Sequence, residues 1–188
     1  PIFMMFNDAG TELAERFVKD RRIPLVSFTG STRVGRRVSS IVGERLGRCL
    51  LELGGNNGLI VDESADLTIA IPAIAFGAVV TAGQRCTSTR RLFVHRSIAE
   101  RVVERVVHAY GQVKIGDPLA QGTLMGPLID GMAVAQFEAS IARAQDLGGE
   151  VLFGGQCIEG DGNFVQPTII RAEAHWPVVM DETFAPIL

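Results

Sequence analysis

Along this chain short apolar runs take turns with longer stretches whose apolar residues recur every three or four positions, as strands and helices do. Pro1 to Phe6 is an apolar run that reads as a buried strand. Asn7 to Gly10 reads as a turn, and Thr11 to Lys19 as a helix with Leu13, Phe17 and Val18 on one face. Ile23 to Phe28 is the next strand, followed by a glycine turn and a helix reaching about Leu46. Cys49 to Leu53 and Gly58 to Val61 read as strands on either side of Gly54-Gly55. After the polar turn Asp62 to Asp66, Asp66 is placed to cap a helix running to about Val80. That helix is apolar nearly all round, which predicts burial. Pro72 lies too deep for its first turn, which predicts a kink or a late start. Arg91 to His95 reads as a strand and Ser97 to Val113 as an amphipathic helix, with Ser97 and Glu100 spaced as a capping box. Ile98, Val102, Val103, Val106, Val107 and Tyr110 form its core stripe. Gly116-Asp117-Pro118 is a turn. A further helix spans Asp130 to Leu147 and is stopped by Gly148-Gly149. Glu150 to Phe153 and Phe164 to Ile170 read as strands around a polar, Gly-rich loop, and Ala185 to Leu188 begins like a strand with nothing after it to pack against. The alternation predicts an α/β fold.

Composition narrows the picture. With 188 residues the chain can bury one good core or parts of two, and 47% hydrophobic content suits a globular protein. A net charge of −3 gives no sign of nucleic acid or an anionic membrane as a partner. The longest apolar stretch, Leu67 to Ala82, is broken by Thr68, Pro72 and Gly77, short of the roughly 18 residues of a membrane span. Pro1 to Phe6 lacks the basic leader and small-residue cleavage site of a secretory signal. The cysteines, Cys49, Cys86 and Cys157, are odd in number and far apart, against a disulfide framework and in favour of a reducing compartment. His95, His108 and His175 lie in separate segments, so no metal site is expected.

Two short pieces carry candidate chemistry. In Glu52-Leu53-Gly54-Gly55-Asn56-Asn57 a carboxylate stands where an apolar strand gives way to two glycines. In Ala82-Gly83-Gln84-Arg85-Cys86-Thr87 a thiol follows the apolar helix. A thiolate is a strong nucleophile and a nearby carboxylate can act as a general base. Each alone has a plainer explanation: Cys86 as a small buried hydrophobe, Glu52 as a carboxylate held in a structural hydrogen bond. Gly30-Ser31-Thr32-Arg33-Val34-Gly35 sits between strand and helix, where free N–H groups and a positive helix end meet a phosphate. The same stretch also suits a Ser/Thr-capped helix packed closely through Gly35. Arg33, Arg36 and Arg37 look like an exposed helix face.

Taken together with Glu182-Thr183-Phe184-Ala185-Pro186, these motifs come in a known order. From about Asp20 to Leu188 the chain resembles the aldehyde dehydrogenase superfamily. Asn56-Asn57, Ala82 before Gly-Gln-Arg-Cys, and Phe184-Ala185-Pro186 resemble its antiquitin-like branch, the α-aminoadipic semialdehyde dehydrogenases. Asn56 replaces the more usual Lys, Ala185 the more usual Gly, and near the first turn only Gly10 is present where the family often has more glycine. The resemblance implies the end of a Rossmann-type NAD-binding domain over residues 1–51, then an α/β catalytic domain over 52–188 that is incomplete at its C-terminus. It implies Cys86 as nucleophile and Glu52 as the base that hydrolyses a thioester. Gly30, Ser31, Gly35 and Leu53 would lie along NAD, Glu182 on the nicotinamide ribose and Phe184 by the nicotinamide ring. Without it, Glu182 would read as a solvated turn residue and Phe184 as a core anchor.

The implied activity is NAD-dependent oxidation of a small-molecule aldehyde, of which α-aminoadipic semialdehyde is the type. The implied assembly is a homo-oligomer, dimer or tetramer, in the cytoplasm or, for a eukaryotic source, the mitochondrial matrix. Members of the family are well over twice this long, so the chain reads as an internal fragment, poorly folded or inactive alone. Other readings stay open: a general aliphatic or betaine aldehyde dehydrogenase, a cofactor-independent thioester hydrolase using Cys86 and Glu52, or a truncated non-catalytic piece.

Overall fold

The computed structural model describes residues 3–188, and the chain divides into two compact units, Pro1–Gly54 and Gly55–Leu188. In the first, helix α1 (Glu12–Lys19) precedes a strand–helix–strand unit of β1 (Leu25–Thr29), α2 (Thr32–Glu44) and β2 (Arg48–Glu52). The strands pair in parallel from Leu25↔Arg48 to Thr29↔Glu52, which requires the crossover that α2 supplies. Val18, Val26, Val38 and Val42 form the small core, with Ile23, Phe28, Ile41 and Leu51 against it. At the end of α2 the Leu46 N–H bonds Gly43 O and the Gly47 N–H bonds Val42 O, a Schellman closure. Leu46 has φ 59° there, so a leucine occupies a left-handed position that glycine takes freely, and the helix stops at Glu44.

The second unit opens with another parallel pair, β3 (Asn57–Val61) and β4 (Thr89–Val94), joined through α3 (Leu67–Val79). Asp66 caps α3 by accepting the Thr68 N–H at 2.8 Å. Helix α4 (Ala99–Gly111) packs on α3, and Ile71, Ile74 and Val79 meet Ile98, Val102, Val106 and Tyr110 in one core. Next come α5 (Gly131–Asp146), capped by Asp130, an antiparallel pair of β5 (Glu150–Phe153) and β6 (Ile169–Arg171), and the short α6 (Pro177–Met180).

Several expectations need correcting. Phe3 to Phe6 is exposed and forms no strand, while Pro1 and Ile2 lie outside the described residues. Of the three apolar residues assigned to one face of α1, only Val18 is buried. Helix α3 runs through Pro72 from Leu67 without a late start, so the Thr68 carbonyl gives up its helical partner. It is not buried all round, because Ile69 and Phe76 are exposed. The capping box does not form. A 3-10 turn over Arg96–Ile98 precedes α4, His95 Nδ1 lies 2.8 Å from Ser97 Oγ, and Glu100 pairs with Arg171 at 3.1 Å instead. The strand expected from Phe164 starts only at Ile169, beyond Pro167, which has no N–H for a ladder. Finally, the last residues do find a partner: Leu188 N–H bonds Thr168 O at 2.9 Å, and Leu188 O accepts from Ile170 at 2.9 Å.

Candidate active site

In the first unit, β2 delivers Glu52 to its C-terminal end with an exposed side chain. The strand register sets Glu52 beside the glycine turn, and the Gly30 N–H donates to the Glu52 carbonyl at 3.0 Å. Gly30 therefore has no free donor, and its contribution is the missing Cβ. Ser31 caps α2, its Oγ accepting the Val34 N–H at 3.3 Å. The N–H groups of Thr32 and Arg33 have no acceptor among the described residues, and the first turn of α2 carries no acidic side chain. Two free donors on a positive helix end fit a pyrophosphate. Gly35 lies against Leu53, 3.1 Å from Leu53 Cδ1 to where a Cβ would stand, so these two residues meet by packing.

In the second unit the cysteine loop begins with a reversal. Thr81, Ala82 and Gly83 take φ values of 56°, 51° and 67°, three left-handed residues in succession. A side chain on Gly83 would run into the Ala185 carbonyl and stand 2.8 Å from Pro186 N. Gln84 ties the turn outward: Nε2 donates to Thr81 O (3.1 Å) and Pro127 O (3.3 Å), and Oε1 accepts the Ile129 N–H at 2.9 Å. Cys86 follows, a free and exposed thiol. Its own carbonyl is held by Asn57, whose Nδ2 donates to Cys86 O at 2.7 Å and to Ser88 O at 2.9 Å.

Beneath this loop lies Arg90, its side chain only 4% exposed. Nη2 donates to Gly83 O and Arg85 O, both at 3.0 Å. Nη1 donates to Thr183 O and, at 3.4 Å, to Ala185 O. The guanidinium thus joins the cysteine loop to the segment carrying Glu182 and Phe184. Burial pushes Arg90 below its ordinary value, opposed first by the Glu182 carboxylate and then by Cys86. Glu182 Oε1 lies 3.5 Å from Arg90 Nη2 and accepts the Gly55 N–H at 3.2 Å. Its Oε2 has no partner among the described residues and is available to a ligand hydroxyl. Phe184 is partly exposed, with Arg90 Cζ 5.3 Å from its ring centre. Asn56 braces the same segment, donating to Val179 O (2.7 Å) and Met180 O (2.9 Å), the final carbonyls of α6.

A family model described as the aldehyde dehydrogenase family matches residues 2–188. The chain belongs to the aldehyde dehydrogenase family. It is 53% identical over 179 residues to aldehyde dehydrogenase family 7 member A1 of Malus domestica, covering 95% of this chain and 35% of that one. It is 48% identical over 180 residues to the α-aminoadipic semialdehyde dehydrogenase of Mus musculus, covering 95% and 33%. The chain thus spans about a third of the length of these curated relatives. Among solved structures it superposes on betaine aldehyde dehydrogenase from Staphylococcus aureus in complex with NAD+, with TM-score 0.92, 28% identity, and 96% of this chain and 37% of that one covered. The fold is that of the aldehyde dehydrogenases, and the resemblance to the α-aminoadipic semialdehyde branch is borne out by these likenesses.

Within this family member, the second unit brings Cys86, Glu182 and Phe184 around one buried arginine, and the first brings Glu52, Gly30, Ser31, Gly35 and Leu53 around one turn. In the sequence Asn57, Gln84 and Gly83 stand inside the quoted motifs without a role of their own, and Arg90 lies outside every motif. For Arg90 a signal existed: adjacent residues of a strand face opposite ways, so one of Arg90 and Arg91 in β4 had to point inward. A mostly apolar cavity of about 260 Å³ opens between β4, α4 and β6, lined by Leu92, Val94, Val106, Ile169 and Leu188, and neither Cys86 nor Glu182 lines it. Among the described residues no cluster of His, Cys, Asp and Glu could hold a metal, and no helix is long and apolar enough to cross a membrane.

Proposed function

We propose that the full-length protein is an NAD-dependent aldehyde dehydrogenase and that this chain carries its nucleophile, Cys86, and its deacylating base, Glu52. The observation that carries the reading is Cys86 itself: a free, exposed thiol with the carbonyl before it held by Arg90 and its own held by Asn57. A nucleophile so held can meet a carbonyl carbon in one geometry, and proximity of this kind supplies much of a catalyst's effect. As thiolate, Cys86 adds to the aldehyde and forms a thiohemiacetal, whose oxyanion the Cys86 N–H is placed to receive. NAD, when bound, supplies the hydride acceptor, since no side chain here can take a hydride. Oxidation leaves a thioester on Cys86. Glu52 then takes a proton from water, which adds to the thioester carbonyl and releases the acid and the thiol.

The cofactor's supports in this reading are the α2 N-terminus with Gly30, Ser31 and Gly35, together with Leu53, Glu182 and Phe184. The two free N–H groups of Thr32 and Arg33 suit the pyrophosphate, and the open Oε2 of Glu182 suits ribose hydroxyls. Residues 1–51 would then close the NAD-binding domain and 52–188 begin the catalytic one. The 48–53% identity to the named relatives supports α-aminoadipic semialdehyde as substrate, and NAD+ in the related structure supports the cofactor. A homo-oligomer in a reducing compartment, cytoplasm or mitochondrial matrix, completes the proposal. The test is NADH formation by the full-length protein with a panel of aldehydes, with Cys86→Ala as control. Highest kcat/KM with the semialdehyde, and none in the control, is the expected result. Preference for betaine aldehyde or simple aliphatic aldehydes would reassign the substrate; no NADH with any aldehyde would end the reading.

A further inference from the structure

We propose that Arg90 is a positioning residue for the carbonyl chemistry of Cys86, acting through the peptide that joins Arg85 to Cys86; this rests on the reading of Cys86 as nucleophile. A trans peptide points its C=O and its N–H in opposite directions. Arg90 Nη2 takes the Arg85 carbonyl at 3.0 Å from the buried side, so the Cys86 N–H is turned away from the guanidinium. That N–H has no acceptor among the described residues. It is the donor that an oxyanion on a carbon bonded to Cys86 Sγ requires. A cation on the carbonyl end of a peptide also polarises it and strengthens the N–H as a donor.

The grip is rigid for a geometric reason. Four carbonyls, of Gly83, Arg85, Thr183 and Ala185, surround one planar fork. A lysine would keep the charge but present a single point, unable to span both segments. Arg90 therefore does not touch the substrate. It sets the peptide plane from which the oxyanion donor projects, while Asn57 holds the next plane at Cys86 O.

Two reactions of Cys86 differ in whether an oxyanion forms. With p-nitrophenyl acetate, sulfur bonds the acetyl carbon, a tetrahedral oxyanion forms, and p-nitrophenolate leaves to give the thioester, with no NAD or aldehyde. With iodoacetamide, sulfur bonds the methylene carbon as iodide leaves, without an oxyanion. In full-length Arg90→Met the single-turnover acylation rate should fall about 10- to 100-fold, less than outright loss of an oxyanion donor. Alkylation should change by less than about threefold, since it reports the thiolate and its exposure. Arg90→Lys should fall between wild type and Arg90→Met in acylation, and Cys86→Ala sets the background. Equal losses in both reactions, or none in either, would overturn the assignment. Should Arg90→Met not fold, Arg90→Lys carries the comparison: a loss confined to acylation supports the assignment, and equal or absent losses overturn it. If neither folds, Arg90 is a determinant of stability and the assignment falls. A wild-type protein that forms no NADH would sink the proposed function instead, while the acylation-to-alkylation ratio would still judge Arg90.

Discussion

The glycine turn of the first unit and the cysteine loop of the second are both short, and both join a helix to a strand of a parallel pair. They are held in different ways. Among the described residues the only side-chain bond in the turn is local, Ser31 accepting the N–H three residues on, and its other tie is the regular ladder bond from Gly30 to the adjacent strand. The cysteine loop is secured from a distance. Asn57 reaches it across 29 residues, Gln84 reaches 43 residues to Pro127, and Arg90 reaches 93 residues to Thr183. A locally held turn with free donors can adjust to a ligand, whereas a loop fixed from several sides keeps one geometry. The first suits binding of a cofactor and the second suits a nucleophile that must meet its target in one pose.

The largest expected effect comes from filling the tightest point of the loop. Gly83→Val places a side chain against the Ala185 carbonyl at a left-handed φ, and should cost about 4 kcal/mol or prevent folding, measured by denaturant melting of the full-length protein. Gly30→Ala meets only the Phe28 ring, 2.6 Å away at Cζ, which can rotate aside, and should cost about 1 kcal/mol. Equal costs would erase the contrast between the two regions.

Next in size is Asn57. Asn57→Asp would turn a carboxylate on the carbonyls of Cys86 and Ser88, and should cost about 3 kcal/mol and lower kcat more than tenfold. Asn57→Ala should be milder, which melting curves and steady-state rates would check. In the turn, Ser31→Ala removes the cap of α2 and should cost about 1 kcal/mol. Ser31→Asp restores the cap but sets a negative charge where the pyrophosphate is expected, so stability should return while KM for NAD rises several-fold.

The smallest effect is a pH effect on the local cap in the second unit. The Thr68 side chain, then the Thr68 N–H, hold the Asp66 carboxyl below the usual aspartate range. A carboxyl depressed in the folded state contributes stability above its unfolded value, and that contribution is lost as pH falls through the folded one. Asp66→Asn should therefore show a smaller drop in melting temperature between neutral pH and about pH 3 than wild type. An unchanged drop would mean the cap contributes nothing.

This division between local and distant restraint also decides what could be read from the sequence. Strand–turn–helix at Ile23 to Glu44, the Asp66 and Asp130 caps, the α4 stripe and the Cys86 and Glu52 motifs are encoded by residues a few positions apart. The capping box at Ser97 and Glu100 failed because His95, two residues before the serine, took its hydroxyl in a local turn, and Arg171, far along the chain, took the glutamate. Leu188 found its partner in Thr168, twenty residues earlier, which no local pattern announces. The partners of Arg90 and Asn57 were hidden for the same reason, since they are backbone carbonyls, which every residue carries; the alternation of Arg90 with Arg91 could show only that one of them turns inward.

The most direct measurement concerns the two residues on which the chemistry rests. Full-length Glu52→Gln is mixed with α-aminoadipic semialdehyde and NAD+, quenched, and Cys86 is weighed by mass spectrometry while NADH is followed. Steady-state turnover should fall by about 10²- to 10⁴-fold, as on loss of a general base. A first-turnover burst of NADH should remain, with an acyl group on Cys86. Unmodified Cys86 together with normal turnover would contradict the pairing of this thiol with this carboxylate.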